Sequence, residues 1–200
     1  MSHAVKVTLK ILQAGDPVLR RKARPLAPDE IRSTALQQLI HLMRDTMRDA
    51  PGVGLAAPQI GLPLQLAVLE DREELLSAMD PQILAEHERQ PVPFTVIINP
   101  VITIEEPTVE FFEGCLSLSG FSALVPRARR VRVECLNQNA EPVVIEATGW
   151  HARILQHEID HLHGTVYIDR MLSRSFTSLD NLTRYWKNKP PADVRRLLEV

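Results

Sequence analysis

The spacing of apolar residues along this chain predicts two amphipathic helices. Between Pro28 and Pro51, apolar residues recur at the three-to-four-residue period of a helix, and Pro28-Asp29-Glu30 is a typical helix start. Its apolar positions are Ile31, Leu36, Leu39, Leu42, Met43 and Met47. A second helix is expected from Thr148, a candidate N-cap, to Gly164, a candidate stop. Its apolar positions are Trp150, Ile154, Leu155, Ile159 and Leu162.

Between and after these helices, runs rich in β-branched and aromatic residues predict short strands. The runs are 64–69, 94–98, 101–104, 108–112, 130–136, 143–147 and 165–168, with a hairpin turn at 137–140. A polar stretch with prolines at 81, 91 and 93 is expected to be a surface insertion without chemistry. Residues 178–187 predict a last helix, and the tail from about residue 189 is expected to be flexible. The pattern predicts one α+β domain over residues 1–200.

Composition narrows the class of protein. Two hundred residues, 44% hydrophobic and with a formal charge of −2, fit a domain with a substantial core and no strong attraction to nucleic acid or anionic membrane. No apolar run approaches the roughly 18 residues of a membrane span, and the first residues lack the order of a secretory signal. Cys115 and Cys135 are too few for a disulfide framework. We therefore expect a cytoplasmic enzyme of small or extended substrates.

The second helix contains His157-Glu158-Ile159-Asp160-His161. Residues four apart share a helix face, so the two imidazoles can hold one metal ion. Glu158 lies beside them and can take a proton from metal-bound water, whose pKa falls to about 7 at a catalytic zinc-type centre. A solvent-facing helix with scattered histidines is the plain alternative. The half-buried character of this helix favours the metal site.

A catalytic metal usually keeps three protein ligands, so a third is needed. Cys115 is favoured because it follows the strand 108–112 within Glu113-Gly114-Cys115-Leu116-Ser117, where glycine lets the backbone approach a site. Cys135 alternates with Arg132 and Glu134, which places it on the less apolar face of a strand. The remaining histidines are expected at the surface: His163 at the helix end, and His3, His41, His87 and His151 elsewhere.

Trp150 and Ile154 lie seven and three residues before His157. This spacing puts both on the same helix face as the ligands and predicts an apolar wall beside the metal. Ordinary core packing is the alternative for such a stripe. An apolar wall next to the metal suits a substrate with a hydrophobic side chain.

Three blocks can be compared together: 52–59 (GVGLAAPQ), 113–117 (EGCLS) and 156–161 (QHEIDH). In order and separation they resemble the three signature motifs of the peptide deformylases, and the likeness extends from Ile11–Arg20 to Tyr167–Asp169. The resemblance implies an α+β fold in which small antiparallel sheets pack around a central metal-binding helix. It also implies removal of the formyl group from newly made proteins that begin with formylmethionine.

The resemblance assigns roles to individual residues. It implies Cys115, His157 and His161 as metal ligands and Glu158 as general acid and base. The side-chain amide of Gln59 and the backbone N–H of Leu116 would bind the formyl oxygen as it becomes charged. Independently of the resemblance, the glycines at 52 and 54 suit an extended edge on which a peptide adds as a strand, with Val53, Gly54 and Gly114 as backbone contacts. An ordinary tight turn is the alternative. Trp150 and Ile154, on the face of His157, would form the pocket for a methionine side chain.

One divalent ion per chain is expected. One thiolate with two imidazoles would by ligand chemistry indicate Zn²⁺, whereas the family uses Fe²⁺, often replaced by Ni²⁺, Co²⁺ or Zn²⁺. We expect Fe²⁺ first. The rival hypotheses are a zinc metallopeptidase, which would need a downstream His or Glu ligand, and a closed structural zinc site, which would need a fourth protein ligand. The sequence places no residue suitably for either.

Some residues depart from the commonest bacterial pattern. Ser122 stands where many bacterial members have arginine, while Trp150–Arg153 and Ser173–Thr177 are closer to the organelle-type branch. No import presequence is apparent, so a bacterial cytosolic enzyme acting on formylmethionyl nascent peptides is expected. Contact with the ribosome stays open, because Pro190 and Pro191 interrupt the C-terminal helix through which many bacterial members dock.

Overall fold

The computed structural model describes residues 7–187 and 189–199. The α-helices are α1 (Pro28–Arg32), α2 (Thr34–Asp49), α3 (Glu73–Leu76), α4 (Pro81–Glu86), α5 (Gly149–Leu162), α6 (Leu179–Asn181) and α7 (Pro191–Leu198). The strands are β1 (Gly54–Ala56), β2 (Leu66–Asp71), β3 (Val92–Cys115), β4 (Leu118–Leu136), β5 (Pro142–Thr148) and β6 (Thr177–Ser178). One π-helical turn, Leu182–Trp186, follows α6.

The strands pair antiparallel in the order β1-β2-β3-β4-β5, and β6 pairs with the first part of β4. The hairpin of β3 and β4 dominates this arrangement, because β3 runs for 24 residues. Its register shifts three times, between Ile98 and Val101, Glu105 and Thr108, and Glu113 and Cys115. Such irregularities bend the paired strands locally. One continuous hairpin can therefore contribute to more than one part of the molecule. The expected α+β class with antiparallel strands is confirmed.

Strand β2 is buried on both faces, and its alternation separates two hydrophobic clusters. Ala67 and Leu69 face the cluster that contains α5, whereas Leu66 and Val68 face the cluster that contains α2. Helix α5 contributes Ala152, Leu155, Ile159 and Leu162 to its cluster. The central helix is therefore enclosed by the strands, and its position is determined by apolar packing along most of its length.

Three expected elements differ from those observed. The long helix from residue 28 is divided at Ser33, which is extended (ψ 143°) and whose hydroxyl accepts a hydrogen bond from the Leu36 N–H as the N-cap of α2. The strand expected at 165–168 is a 3₁₀ turn at Tyr167–Asp169, because Asp169 accepts from the Val166 N–H and closes the turn. The helix expected at 178–187 is divided between α6 and the π-helical turn.

Other predicted strands and turns are observed, with wider boundaries than expected. The runs 94–98, 101–104 and 108–112 merge into β3, and the hairpin turn at 137–140 is confirmed, with Asn137 accepting from the N–H groups of Asn139 and Glu141. The polar insertion contains α3 and α4. Residues of the tail form α7, and its flexibility stays a prediction. Within the described ranges, every helix is too short or too polar to cross a bilayer.

Candidate metal centre

Helix α5 brings His157 and His161 to the same face, as their spacing predicts. Their Nε2 atoms are 3.2 Å apart. Cys115, the last residue of β3, reaches the same point, and its Sγ lies 3.3 Å from Nε2 of His161. The three candidate ligand atoms all lie within 4.8 Å of one another. The sequence thus correctly predicted which three residues the fold brings together.

Cys135 lies elsewhere. The expectation that it occupies the less apolar strand face is wrong, because Cys135 is buried with Val131 and Val133 in the cluster around α5. Burial also raises the pKa of its thiol. Its side chain is a small core residue rather than a candidate ligand.

The donor set fits a divalent metal ion. One thiolate sulfur and two imidazole nitrogens face a common point, and in the described part of the chain the cluster consists of these three residues. Three protein ligands are typical of a catalytic site, which leaves a further position for water or substrate. His157 and Cys115 also line a cavity of about 600 Å³, so this position is open to a ligand.

Glu158 lies beside the ligands and is almost fully buried, at 4% exposure. Burial raises the pKa of its carboxyl to about 7, although the charge of His157 acts in the opposite direction. Within the described residues, its Oε2 has no hydrogen-bond partner. A Cβ atom on Gly54 would lie 2.1 Å from Glu158 Oε1, so β1 can pass this close to the carboxylate only because residue 54 is glycine.

Gln59 directs the NH₂ group of its side-chain amide toward Cys115. Its Oε1 accepts a hydrogen bond from the Ala56 N–H at 2.8 Å, and since an N–H can only donate, the Nε2 group faces the other way. Nε2 lies 3.2 Å from Ser117 Oγ and 3.5 Å from Cys115 Sγ. Leu116 occupies the turn between β3 and β4, next to Cys115. Both residues expected at the formyl oxygen therefore adjoin the ligand cluster.

A short N-terminal segment connects the two turns that carry these groups. The Leu12 N–H donates to the Gln59 carbonyl at 2.8 Å, and the Ala14 N–H donates to the Ser117 carbonyl at 2.7 Å. Both bonds join backbone to backbone. The segment thus fixes the distance between the glutamine turn and the cysteine turn.

A buried ionic network lies behind the ligands, and sequence reasoning gave its members no role. Glu113 Oε1 lies 2.6 Å from Nδ1 of His157 and 2.7 Å from Nη2 of Arg127. Arg153 donates to Glu113 Oε2 at 3.0 Å, and Arg127 donates to Asp160 at 2.5 Å. Burial opposes ionisation of Glu113, but the hydrogen bond and charge of His157, together with Arg127, outweigh it and hold the pKa below its ordinary value.

The spacing of residues along the chain predicts part of this network. Glu113 is two residues before Cys115 on a strand, which favours the same face, although a register shift intervenes. Arg153 is four residues before His157 on the helix and so shares its face. A carboxylate bound to the second nitrogen of a ligating histidine fixes the orientation of the ring.

The residues expected at the substrate also meet at the cavity. Val53, Gly54, Gly114, Leu116, Trp150 and Ile154 all contribute to its lining, as do Gln59 and Glu158. Strand β1 stands at one end of the strand order, with β2 as its neighbour. An extended peptide could pair with the other edge of such a strand.

The insertion contributes to the site, contrary to expectation. His87 stacks on Trp150 with 5.4 Å between ring centroids, and Arg89 lies over the same indole.

The placement of His87 and His151 at the surface is wrong, because both are partly buried. His41 is exposed as expected, and so is His163, which caps the C-terminus of α5. His3 lies outside the described residues.

Comparison with known proteins agrees with these features. A model of the polypeptide deformylase family matches residues 8–176. The chloroplastic peptide deformylase 1A of Solanum lycopersicum is 47% identical over 86% of this chain, which spans 62% of that relative's length. Peptide deformylase 3 of Streptomyces avermitilis is 42% identical over 92% of this chain and 80% of its own length.

Solved structures show the same likeness. A crystal structure of the class I type b peptide deformylase from Acinetobacter baumannii, bound to Met-Ala-Ser, superimposes with a TM-score of 0.74 at 30% identity. The match covers 84% of this chain and all of the Acinetobacter chain. The relatives include both an organellar and a bacterial protein, in keeping with the mixed features of the sequence.

Proposed function

The chain belongs to the polypeptide deformylase family, and on this basis we propose that it is a metal-dependent hydrolase that removes the formyl group from peptides beginning with formylmethionine. The observation that carries the proposal is the convergence of Cys115, His157 and His161 beside the buried carboxylate of Glu158. The adjoining cavity of about 600 Å³ is large enough for the first residues of a peptide.

The proposed metal ligands are Cys115 Sγ and the Nε2 atoms of His157 and His161. Fe²⁺ is the first choice, with Zn²⁺, Ni²⁺ or Co²⁺ as substitutes. When bound, the ion supplies Lewis acidity that activates water and polarises the formyl group. Glu113 would keep the His157 ring in the orientation that presents Nε2, because it binds Nδ1 at 2.6 Å.

Glu158 is the proposed general base and then general acid. A carboxyl whose pKa is about 7 can both accept and release a proton near neutral pH. It would take a proton from the attacking water and deliver it to the departing amine of methionine. Its Oε2 is available for this transfer, because no described residue binds it.

Gln59 Nε2 and the Leu116 N–H are the proposed donors to the formyl oxygen. The hydrogen bond from the Ala56 N–H to Gln59 Oε1 fixes the amide, so that its NH₂ group faces the proposed ligands before substrate binds. Loss of one such preset donor typically lowers the rate about 10²–10³-fold. Ser117 holds Gln59 Nε2 at 3.2 Å and so supports its position.

The proposed substrate lies along β1, with Val53, Gly54 and Gly114 as backbone partners. Its first side chain would enter the pocket between Trp150 and Ile154. Methionine suits this pocket, since each buried CH₂ contributes about 0.8 kcal/mol. Formyl carries only hydrogen on its carbonyl carbon, so Gln59 and Leu116 would leave little room for an acetyl methyl.

Formylmethionyl nascent peptides are the proposed partners, and the cytoplasm is the proposed compartment. A Met-Ala-Ser peptide is bound in the Acinetobacter structure, and we infer that this cavity binds the same kind of product. A transient contact with the ribosome belongs to this proposal, while direct binding of nucleic acid or membrane does not.

The proposal is tested by formate release from formyl-Met-Ala-Ser, with protein loaded anaerobically with Fe²⁺. We expect formyl-Met to exceed formyl-Gly by about two decades in kcat/KM, as burial of a whole side chain predicts. Acetyl-Met peptides should be poor substrates, and a chelator should abolish activity until metal is restored. Comparable rates on all three peptides would remove both the pocket and the proposed activity.

A further inference from the structure

The Trp150 end of the cavity is lined by a cation, Arg89. From His157 back along α5, Ile154 is about one turn away and Trp150 about two, roughly 10 Å at 1.5 Å per residue. The guanidinium carbon of Arg89 lies 4.7 Å from the centroid of the Trp150 ring. Arg89 lines the same cavity as Trp150, Ile154 and His157. Arg153 also lines this cavity, but its amino groups donate to Glu113 and to the carbonyls of Val125 and Val109. Arg89 is therefore the cation next to the apolar wall of Trp150 and Ile154 that remains to be explained.

This end of the pocket is held in place by several contacts. Asp71, which has no exposed surface, accepts from Nε of Arg89 at 2.7 Å and from Nη2 at 3.0 Å. His87 stacks on the same indole. Gly149 lets the 87–88 turn approach the start of α5, since a Cβ there would lie 2.4 Å from Glu88 Cβ.

One amino group of Arg89 is free to bind a ligand. Nε and Nη2 are engaged by Asp71. Nη1 forms no hydrogen bond with residues 7–187 and 189–199. A guanidinium group carries five donors in a fixed plane, so two hydrogen bonds to the Asp71 carboxylate on one edge leave the Nη1 group able to donate.

We propose that Arg89 is a specificity-determining residue that lets the pocket accept methionine sulfoxide as well as methionine at the first position. With the formyl group at Cys115 and His157, the first side chain extends past Ile154 toward Trp150, and its end group meets Arg89. A sulfoxide oxygen is a strong acceptor that a wholly apolar pocket would leave unsatisfied. Nη1 of Arg89 supplies the donor. The inference rests on the proposed function and adds a substrate class to it.

The test compares kcat/KM for formyl-Met-Ala-Ser and its methionine sulfoxide counterpart. Removing Arg89 alone would leave Asp71 as a buried unpaired charge, which is strongly destabilising. The variant is therefore the double substitution Asp71→Asn with Arg89→Met. We expect the sulfoxide-to-methionine ratio to fall about tenfold or more, the size of a lost charge-assisted hydrogen bond. A change of less than threefold would overturn the role of Arg89.

Arg44→Met is the matched control, because Arg44 also lies over an aromatic ring, Phe94, but does not line the cavity. The sulfoxide-to-methionine ratio of kcat/KM in Arg44→Met should equal that of the wild type. Where melting curves show the double variant to be unstable, Arg89→Lys gives the same test. Lysine keeps a charge for Asp71 but lacks the second amino group, so the ratio should again fall.

A binding measurement separates this inference from the proposed function. Calorimetry on metal-loaded protein compares Met-Ala-Ser with its sulfoxide form, and the same loss of relative affinity is expected in the double variant. A wild type that neither releases formate nor binds Met-Ala-Ser contradicts the proposed function. A wild type that does both, with unchanged ratios in the variants, contradicts only the role of Arg89. Its amino group would then face the neighbouring cleft beside His151.

Discussion

On the face of helix α5 that carries the site, buried charges surround His157 and Asp160, whereas aromatic rings and a guanidinium group surround Trp150 near the N-terminal end. Around His157 and Asp160, Glu113, Arg127 and Arg153 form ion pairs at 2.5–3.0 Å with almost no exposure. Around Trp150, the contacts are the ring of His87 and the guanidinium of Arg89, supplied by the insertion between β2 and β3.

Ion pairs and stacked rings differ in how much stability is lost when one partner is substituted. A buried ion pair that loses one partner leaves an uncompensated charge, which costs about 3–5 kcal/mol. A stacked pair is worth only about 0.5–1.5 kcal/mol beyond its buried area, and another ring can replace it. The metal half of the site should therefore be sensitive to single substitutions, and the pocket half should be adjustable.

The largest difference is expected from the two cysteines. Cys115→Ala should sharply lower metal content, because the ion would lose one of its three proposed protein ligands, whereas Cys135→Ala removes only a core sulfur. Metal analysis after anaerobic loading measures this, with melting curves to confirm that both variants fold. Equal metal retention in the two variants would exclude Cys115 as a ligand.

Glu158→Gln should retain the metal and lose nearly all turnover. An amide can bind water but cannot accept its proton, and a positioned general base is worth about 10²–10⁴-fold in rate. The measurement is kcat for formyl-Met-Ala-Ser with metal content determined on the same sample. Activity above about a tenth of the wild type would show that another base operates.

Glu113→Gln tests the charged half without touching a ligand. The neutral amide weakens the bond to His157 Nδ1 and leaves the charges of Arg127 and Arg153 less balanced, so metal affinity should fall about 10–100-fold. Competition with a chelator measures the affinity. Glu110→Gln is the control on the same strand, because Glu110 pairs with Arg195 away from the ligands. Equal affinities in the two variants would contradict a positioning role for Glu113.

The smallest effect concerns His87 in the stacked half. Burial, with the charges of Arg153 and Arg89, lowers its pKa to about 4, so the unfolded chain binds a proton at His87 more readily than the folded protein does. Stability should therefore fall as the pH drops below about 6.5, with no further loss below about 4. Solvent screening limits the cost at pH 5 to about 1 kcal/mol or less.

His87→Phe keeps a ring against Phe111 and Trp150 and should reduce this loss. Melting temperatures at pH 7 and pH 5 measure it, with His41→Phe as the exposed control. If both variants lose as much stability as the wild type, His87 does not contribute to the pH dependence.

The sequence predicted the metal cluster well because its signals are local. His157 and His161 need only the geometry of one helix, and the glycine before Cys115 marked a backbone that approaches a site. The ionic network depends instead on pairing between strands. Arg127 meets Glu113 only through the register of the β3–β4 hairpin, which shifts between Glu113 and Cys115. Residue periods alone do not specify such a register.

The contribution of the insertion was missed for another reason. Its polar composition has no period that predicts burial, and its docking depends on backbone conformation. Glu88 and Gly149 both have positive φ, at 46° and 57°, and the missing Cβ of Gly149 makes the close approach possible. The same turn carries His87 and precedes Arg89, both of which contact Trp150.

The N-terminal segment that joins the Gln59 and Ser117 turns has a consequence for the order of synthesis. Residues 12 and 14 leave the ribosome first, but their carbonyl partners lie 47 and 103 positions later along the chain. The ligands His157 and His161 follow later still. The segment, the two turns and the histidine-bearing part of α5 can therefore come together only after residue 161 has been synthesised, so the centre assembles late in the synthesis of this domain.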